Sequence, residues 1–157
     1  MPPVPVLPDR AAWSYRDDAA VPAFDDAGPV TVMDGECALC SFGARLIARF
    51  DRREEFRICR VQTPLGRALL RHYGLDPDDP ESWLFIEEGR AYTSLDGMIR
   101  AGRRVGGVGW LLQPLRLIPR GVQDRLYVRL ARARYRLFGR AEMCALPDPR
   151  LRARLME

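Results

Sequence analysis

The stretch VTVMDGECALCSFGARLIARF, Val30 to Phe50, decides how this chain reads. Val30 to Met33 form a short β-branched apolar run suited to a buried strand. Asp34-Gly35 breaks the run, and Phe42, Leu46, Ile47 and Phe50 then recur at helical spacing. Cys37 and Cys40 stand three residues apart at the changeover. Three readings compete for them: a redox pair, half of a metal site, or two small core residues.

Position favours the first. Residues i and i+3 on a helix lie roughly 5 Å apart at Cα, within the span of a disulfide. A thiol at a helix N-terminus faces unpaired N–H groups and the positive end of the macrodipole, which favour thiolate. Such placement lowers a cysteine pKa from about 8.5 to between roughly 3.5 and 7.5. Cys37 is expected at the cap, exposed, as the attacking nucleophile. Cys40, one turn in, is expected to be more buried and to resolve the mixed disulfide.

Asp34 has two readings. It is a carboxylate placed to relay a proton to or from Cys40, or a turn residue whose side chain caps the helix backbone. Gly35 relaxes the backbone between strand and helix. A zinc site would need two close ligand pairs, and only one is present. Cys59, His72 and Cys144 would have to converge from three elements, so neither metal nor bound cofactor is expected.

Outward from this unit the pattern stays regular. FRICRV (Phe56 to Val61) reads as a second strand, and PLGRALLRHYG (Pro64 to Gly74) as a helix with Pro at its start and Gly at its end. WLFIEEGRAYT (Trp83 to Thr93) reads as a hairpin turning at Gly89. The next helix opens at Ser94, a candidate N-cap. The order β-α-β-α-β-β-α predicts a four-stranded α/β sheet of thioredoxin-like arrangement with helices on both faces. Two extra C-terminal helices follow. One lies within Gly107 to Ile118. The other puts Leu126, Leu130, Ala133 and Leu137 on one stripe, with Tyr127 and Phe138 beside it and Arg129, Arg132 and Arg136 opposite.

Three regions result. Residues 1–28, rich in proline, read as a poorly ordered arm that Trp13, Tyr15 and Phe24 can still pin down. Residues 29–149 form the domain, and 150–157 a tail. All 25 basic residues are arginine, and they are unevenly placed: 11 against 17 acids in residues 1–99, then 14 against 4 from residue 100 onward. A solvated helix surface explains the basic half most simply. The arginines lack an interleaved base-stacking motif, so nucleic acid is not the expected partner.

MPPVPVLPDRAAW has neither a basic n-region nor an unbroken apolar h-region. Val105 to Pro119, the most apolar later stretch, is too short to span a bilayer. The expected location is cytoplasmic, where thiols are kept reduced and an oxidised pair is usually catalytic.

DGECALC (Asp34 to Cys40) resembles the D-G-x-C-x-L-C signature of the DCC family of predicted thiol-disulfide oxidoreductases. IPRGVQDRLYVRLARARYRLFGRAEMCALPDP (Ile118 to Pro149) resembles that family's distal block, Y-x-x-x-A-x-x-R-Y-x-x-F-G followed by C-x-L-P. The resemblance implies a thioredoxin-like fold with added C-terminal helices and redox chemistry at Cys37 and Cys40. Thioredoxins place a cis-proline immediately before the third strand. Here Ser82 precedes Trp83 and the nearest proline is Pro80, which argues against thioredoxin-style peptide docking.

Arg134 falls near the apolar side of its helix, where a lone guanidinium is costly. It is expected to pair with a carboxylate, Asp34 being the candidate of interest and Asp124 or Asp96 the structural alternatives. Cys144 is a third redox thiol or, more ordinarily, a packed loop cysteine. Cys59 reads as a small core hydrophobe, and His72 as an exposed imidazole complementing a helix C-terminus. Trp83 and Tyr92 read as core aromatics.

Two functions from different classes follow. The first is a thiol-disulfide oxidoreductase acting on a disulfide-containing protein or a small-molecule thiol. The second is a non-catalytic interaction module with a basic C-terminal helical surface. Oligomeric state is not legible in the sequence.

Overall fold

A computed structural model describes residues 6–79, 83–145 and 148–156. Pro80 and Ser82, on which the contrast with the thioredoxin cis-proline rests, lie outside the described residues. Strand β1 (Val30–Met33) leads into helix α1 (Ala38–Phe50), β2 (Arg57–Arg60) into α2 (Pro64–His72), and the hairpin β3 (Leu84–Glu87) and β4 (Arg90–Tyr92) into α3 (Ser94–Val105). The expected order is therefore present. β1 runs parallel to β2 and antiparallel to β3, with Val32 opposite Cys59 and Thr31 opposite Phe85.

The sheet has five strands, in the order β4-β3-β1-β2-β5. This corrects the expected four, and the mixed α/β architecture is compatible with the thioredoxin-like arrangement. The fifth strand, β5 (Leu155–Met156), comes from residues read as a tail and pairs parallel to β2. Two residues are too few to carry a period, so no local signal announces it. A buried ion pair holds it in place: Arg154 donates to Asp51 at 3.1 Å, and the Ile58 N–H donates to the Arg154 carbonyl at 2.8 Å.

Every residue of β1 is buried, because both faces of the sheet are covered. On one side Val30, Val32, Cys59, Leu69, Leu84 and Ile86 share a core cluster. On the other, Met33, Ala44, Ala48 and Ile58 meet Met143 and Leu151 from the C-terminal segment.

Residues of the N-terminal arm join the first cluster. Tyr15 is fully buried there, with Trp13 and Phe24 packed against it. His72, expected to be exposed, is buried instead and bridges Ser14 Oγ (2.9 Å) and Asp18 Oδ2 (2.6 Å) of that arm. The arm covers the face from which the imidazole was expected to look into solvent.

The C-terminal half departs from expectation in three places. Gly107–Leu117 is a 3-10 helix, and Gly109 lies so close to α3 that a Cβ there would sit 2.1 Å from the Gly102 carbonyl oxygen. The N-cap position falls to Thr93 rather than Ser94, whose hydroxyl donates to Asp124 at 2.8 Å and ties α3 to the next helix. That helix, α4 (Arg120–Phe138), buries Gln123, Tyr127, Val128, Ala131 and Arg134, whereas Leu126, Leu137 and Phe138 are exposed. The two ends of the leucine stripe, Leu126 and Leu137, thus face outward, while Leu130 and Ala133 between them are half-buried. A short α5 (Pro149–Arg152), capped by Asp148, precedes β5.

Candidate functional site

The site forms where β1 ends. Asp34 is buried, and its Oδ1 accepts from the Glu36 N–H (2.9 Å) and Gln62 Nε2 (2.7 Å). Its Oδ2 accepts from Arg134 Nη2 at 2.8 Å and from the Tyr135 hydroxyl. Burial would push this carboxyl upward, but the Glu36 N–H, Arg134 and Gln62 outweigh it and hold the pKa below the ordinary carboxylate value. The Glu36 contact is the turn-forming bond of the simpler reading, and the Arg134 contact is the expected ion pair. With two bonds on each oxygen, Asp34 is saturated as an acceptor.

Gly35 has a different task from the one expected. Its φ is not in the left-handed region; what it supplies is space. A Cβ there would lie 2.6 Å from Arg60 Cδ and 3.1 Å from Gln62 Oε1. Its N–H donates to that same Gln62 oxygen at 3.0 Å.

Cys37 is the N-cap of α1, with extended backbone angles, and its carbonyl accepts from the Ser41 N–H at 2.9 Å. Cys37 and Cys40 approach within 3.6 Å and are not bonded. The two thiols are shifted apart. Cys37 is drawn down to about 6, chiefly by the hydrogen bond from Cys40; burial opposes this, while the Cys40 and Leu39 N–H groups and the Arg134 charge assist. Cys40 is pushed well up by the same hydrogen bond, by burial and by the Cys37 charge. The opposite shifts favour charge on Cys37 over charge on Cys40.

The expected exposure of Cys37 is corrected: the residue has 0% accessible surface, whereas Cys40 is partly accessible. Cys40 nonetheless lies deeper among protein atoms than Cys37 does. Cys37 is shallow but roofed. The roof is the segment after α4, which runs antiparallel across the helix start, Cys37 opposite Arg140. The Ala38 N–H donates to the Gly139 carbonyl (3.3 Å), the Ala141 N–H to Glu36 (3.0 Å) and the Met143 N–H to Gly35 (2.7 Å). Arg140 also pairs with Glu36 at 3.1 Å.

Cys40 opens elsewhere, onto a cavity of about 450 Å³ between α1, α3, the 3-10 helix and α4. Met33, Leu46, Trp83, Leu112 and Leu130 are among its walls, and the Asp34–Arg134 pair is on its lining. The size is that of a small-molecule pocket.

The fold thus brings together Asp34, Gly35, Cys37, Cys40 and Arg134. Cys144, half-buried and unbonded, lies one residue beyond the Met143–Gly35 bond. Cys59 is buried beside Thr63, and burial raises its pKa. Among the described residues no three His, Cys, Asp or Glu side chains converge as metal ligands. Sequence reasoning missed Tyr135, although it stands in the R-Y dipeptide of the distal block. It also missed Gln62, for which no local signal exists.

A family model described as DCC1-like thiol-disulfide oxidoreductase matches residues 31–140. The uncharacterized protein YuxK of Bacillus subtilis is 32% identical over 127 residues, 81% of this chain and 93% of that one. A chloroplastic DCC family protein of Arabidopsis thaliana is 31% identical over 123 residues, 78% of this chain and 72% of its own. No solved structure gives a significant match. Among the described residues no helix is long and apolar enough to cross a membrane.

Proposed function

The chain belongs to the DCC1-like thiol-disulfide oxidoreductase family, and from that premise we propose that it exchanges disulfides through Cys37 and Cys40 on a thioredoxin-like scaffold. The observation that carries the proposal is the geometry of the pair: Cys37 at the start of α1 with Cys40 3.6 Å away, in surroundings that draw the Cys37 thiol down to about 6.

In this reading Cys37 attacks a substrate disulfide, forming a mixed disulfide and releasing one substrate thiolate. Cys40 gives its proton to that thiolate and attacks Cys37, releasing the second. The pair is oxidised by two electrons and the substrate reduced by two. Arg134 favours charge on both sulfurs, and Asp34 acts as a positioning residue that fixes Arg134 and the turn into α1. A relay through Asp34 would first have to displace one of its four hydrogen bonds. Protein substrates reach Cys37 when the 139–143 segment lifts. A reducing compartment such as the cytoplasm suits this chemistry; the Arabidopsis relative is chloroplastic.

The roof over Cys37, together with exposed Leu126, Leu137 and Phe138 on an arginine-rich helix, favours a second reading as a non-catalytic interaction module. Thiolate absorbance against pH, followed by redox equilibration with glutathione, separates the two. Titration near 6 with a reversible Cys37–Cys40 disulfide is the expected result. A thiol of ordinary pKa that forms no disulfide would remove the enzyme reading.

A further inference from the structure

Cys37 and Cys40 open in different directions. Cys37 lies under the 139–143 segment, while Cys40 alone of the pair lines the apolar cavity. Two polar groups on that lining are left without a use. Thr31, from the middle of β1, is 0% exposed, and its hydroxyl has no hydrogen-bond partner among the described residues; the Trp83 indole N–H likewise has none. A buried donor left unmade is destabilising, so each such group calls for a partner that the chain itself does not supply. The charged groups on the lining, Asp34 and Arg134, are bonded to each other. A bound carboxylate would meet the Asp34 charge with Arg134 already engaged.

We propose that this cavity binds an uncharged, mainly apolar thiol or disulfide carrying a hydrogen-bond acceptor, and presents its sulfur to Cys40. The proposal rests on the thiol-disulfide reading and adds the class of small molecule that exchanges with the pair. The acceptor meets Thr31 and Trp83, and the apolar body fills the space between Leu46, Leu112 and Leu130.

With a dithiol as ligand, its thiolate attacks the Cys40 sulfur of the oxidised pair and breaks the Cys37–Cys40 bond. Cys37 leaves as thiolate, the better leaving group of the two. The ligand's second sulfur then attacks its first, closing a cyclic disulfide and releasing Cys40. The proton of that second thiol ends on Cys40. The ligand loses two electrons and the pair gains two, and the reverse sequence reduces a bound disulfide.

The test mixes oxidised protein with dihydrolipoamide or dihydrolipoate, which share dithiol and chain and differ in amide against carboxylate. Reduction of the pair by the amide is expected to be faster by about tenfold or more, as for one unpaired charge brought to a buried site. Gly43 on α1 lines the cavity, and a Cβ there meets nothing within 4 Å, so Gly43→Leu fills the space without harm to the helix. Gly43→Leu should bring the amide-to-carboxylate ratio toward one, and Thr31→Val should lower it. The ratio remains readable if either variant slows both reactions.

A ratio of one in the wild type, or a ratio unchanged in both variants, overturns the proposal. Dithiothreitol tells the two levels apart. If it reduces the pair reversibly while the ratio is one, only the cavity assignment falls. If no disulfide forms at all, the redox reading falls first and takes the cavity with it.

Discussion

Helices α1 and α2 each leave the C-terminal end of one of two paired parallel strands, and each begins with N–H groups that need acceptors. At α2 the solution is ordinary. Thr63 Oγ1 accepts from the Gly66 N–H at 3.1 Å, and Pro64 fills the next position with no N–H to satisfy. At α1 a sulfur takes the capping position, and Gly139, from another part of the chain, accepts from the Ala38 N–H. The capping oxygen of α2 is spent on stability. The Cys37 sulfur at the start of α1 makes no capping hydrogen bond and gains ionisation instead.

The cysteines of the two units make the same point. Cys59, in the middle of β2 and buried beside Thr63, has its thiol pushed up by burial. Cys37, at a helix start beside a second thiol and near Arg134, is drawn down to about 6 although it is no more exposed. Burial alone therefore does not set the state of a cysteine here. What surrounds the sulfur does.

The largest effect that would break this comparison is on turnover. Cys37→Ser should lower disulfide reductase activity by about a thousandfold or more, because the serine hydroxyl is not ionised near neutral pH. Activity near wild type in that variant would end the nucleophile assignment.

Next is Arg134→Met, which leaves the Asp34 carboxylate buried without its cation. Removing one partner of such a pair should destabilise the fold by about 3–5 kcal/mol in urea melts. It should also raise the Cys37 pKa, a change that a purely structural arginine would not produce.

The pH dependence sharpens the contrast between the two cysteines. Alkylation of Cys37 by iodoacetamide, admitted as the 139–143 segment lifts, should rise with pH and level off above about 6, and should leave Cys59, buried within the sheet, unlabelled in the native protein. The sign for stability follows from the lowered pKa. The reduced form gains stability as pH rises from about 6 toward the free thiol value of about 8.5, and loses that gain as pH falls back through about 6. The smallest effect is at the other helix. Thr63→Ala should cost about 1 kcal/mol of stability and leave turnover intact, since its oxygen serves only the α2 start and neighbouring groups.

What the sequence determined by itself was local. Strand and helix periods, Pro64 and Gly74 around α2, and the placing of Cys37 at a helix start all follow from chemistry within a few residues. That is why the β-α-β-α-β-β-α order was legible. That Arg134 needs a carboxylate was legible for another reason, since a guanidinium on the apolar side of a helix is costly alone; which one of Asp34, Asp124 and Asp96 it meets was not.

Tertiary structure decided the rest. Asp34 and Arg134 meet across 100 positions of chain, Arg154 and Asp51 across 103, and no local pattern encodes such pairings. Meeting Asp34 turns the Arg134 face of α4 inward and leaves Leu126 and Leu137 outside, against the hydrophobic stripe. The turn after α4 then lays Gly139 to Met143 over Cys37, so the exposure expected of the nucleophile is lost. A sequence can say that a sulfur sits at a helix start. Whether solvent reaches it depends on which distant segment satisfies the neighbouring backbone groups, and only the packed chain settles that.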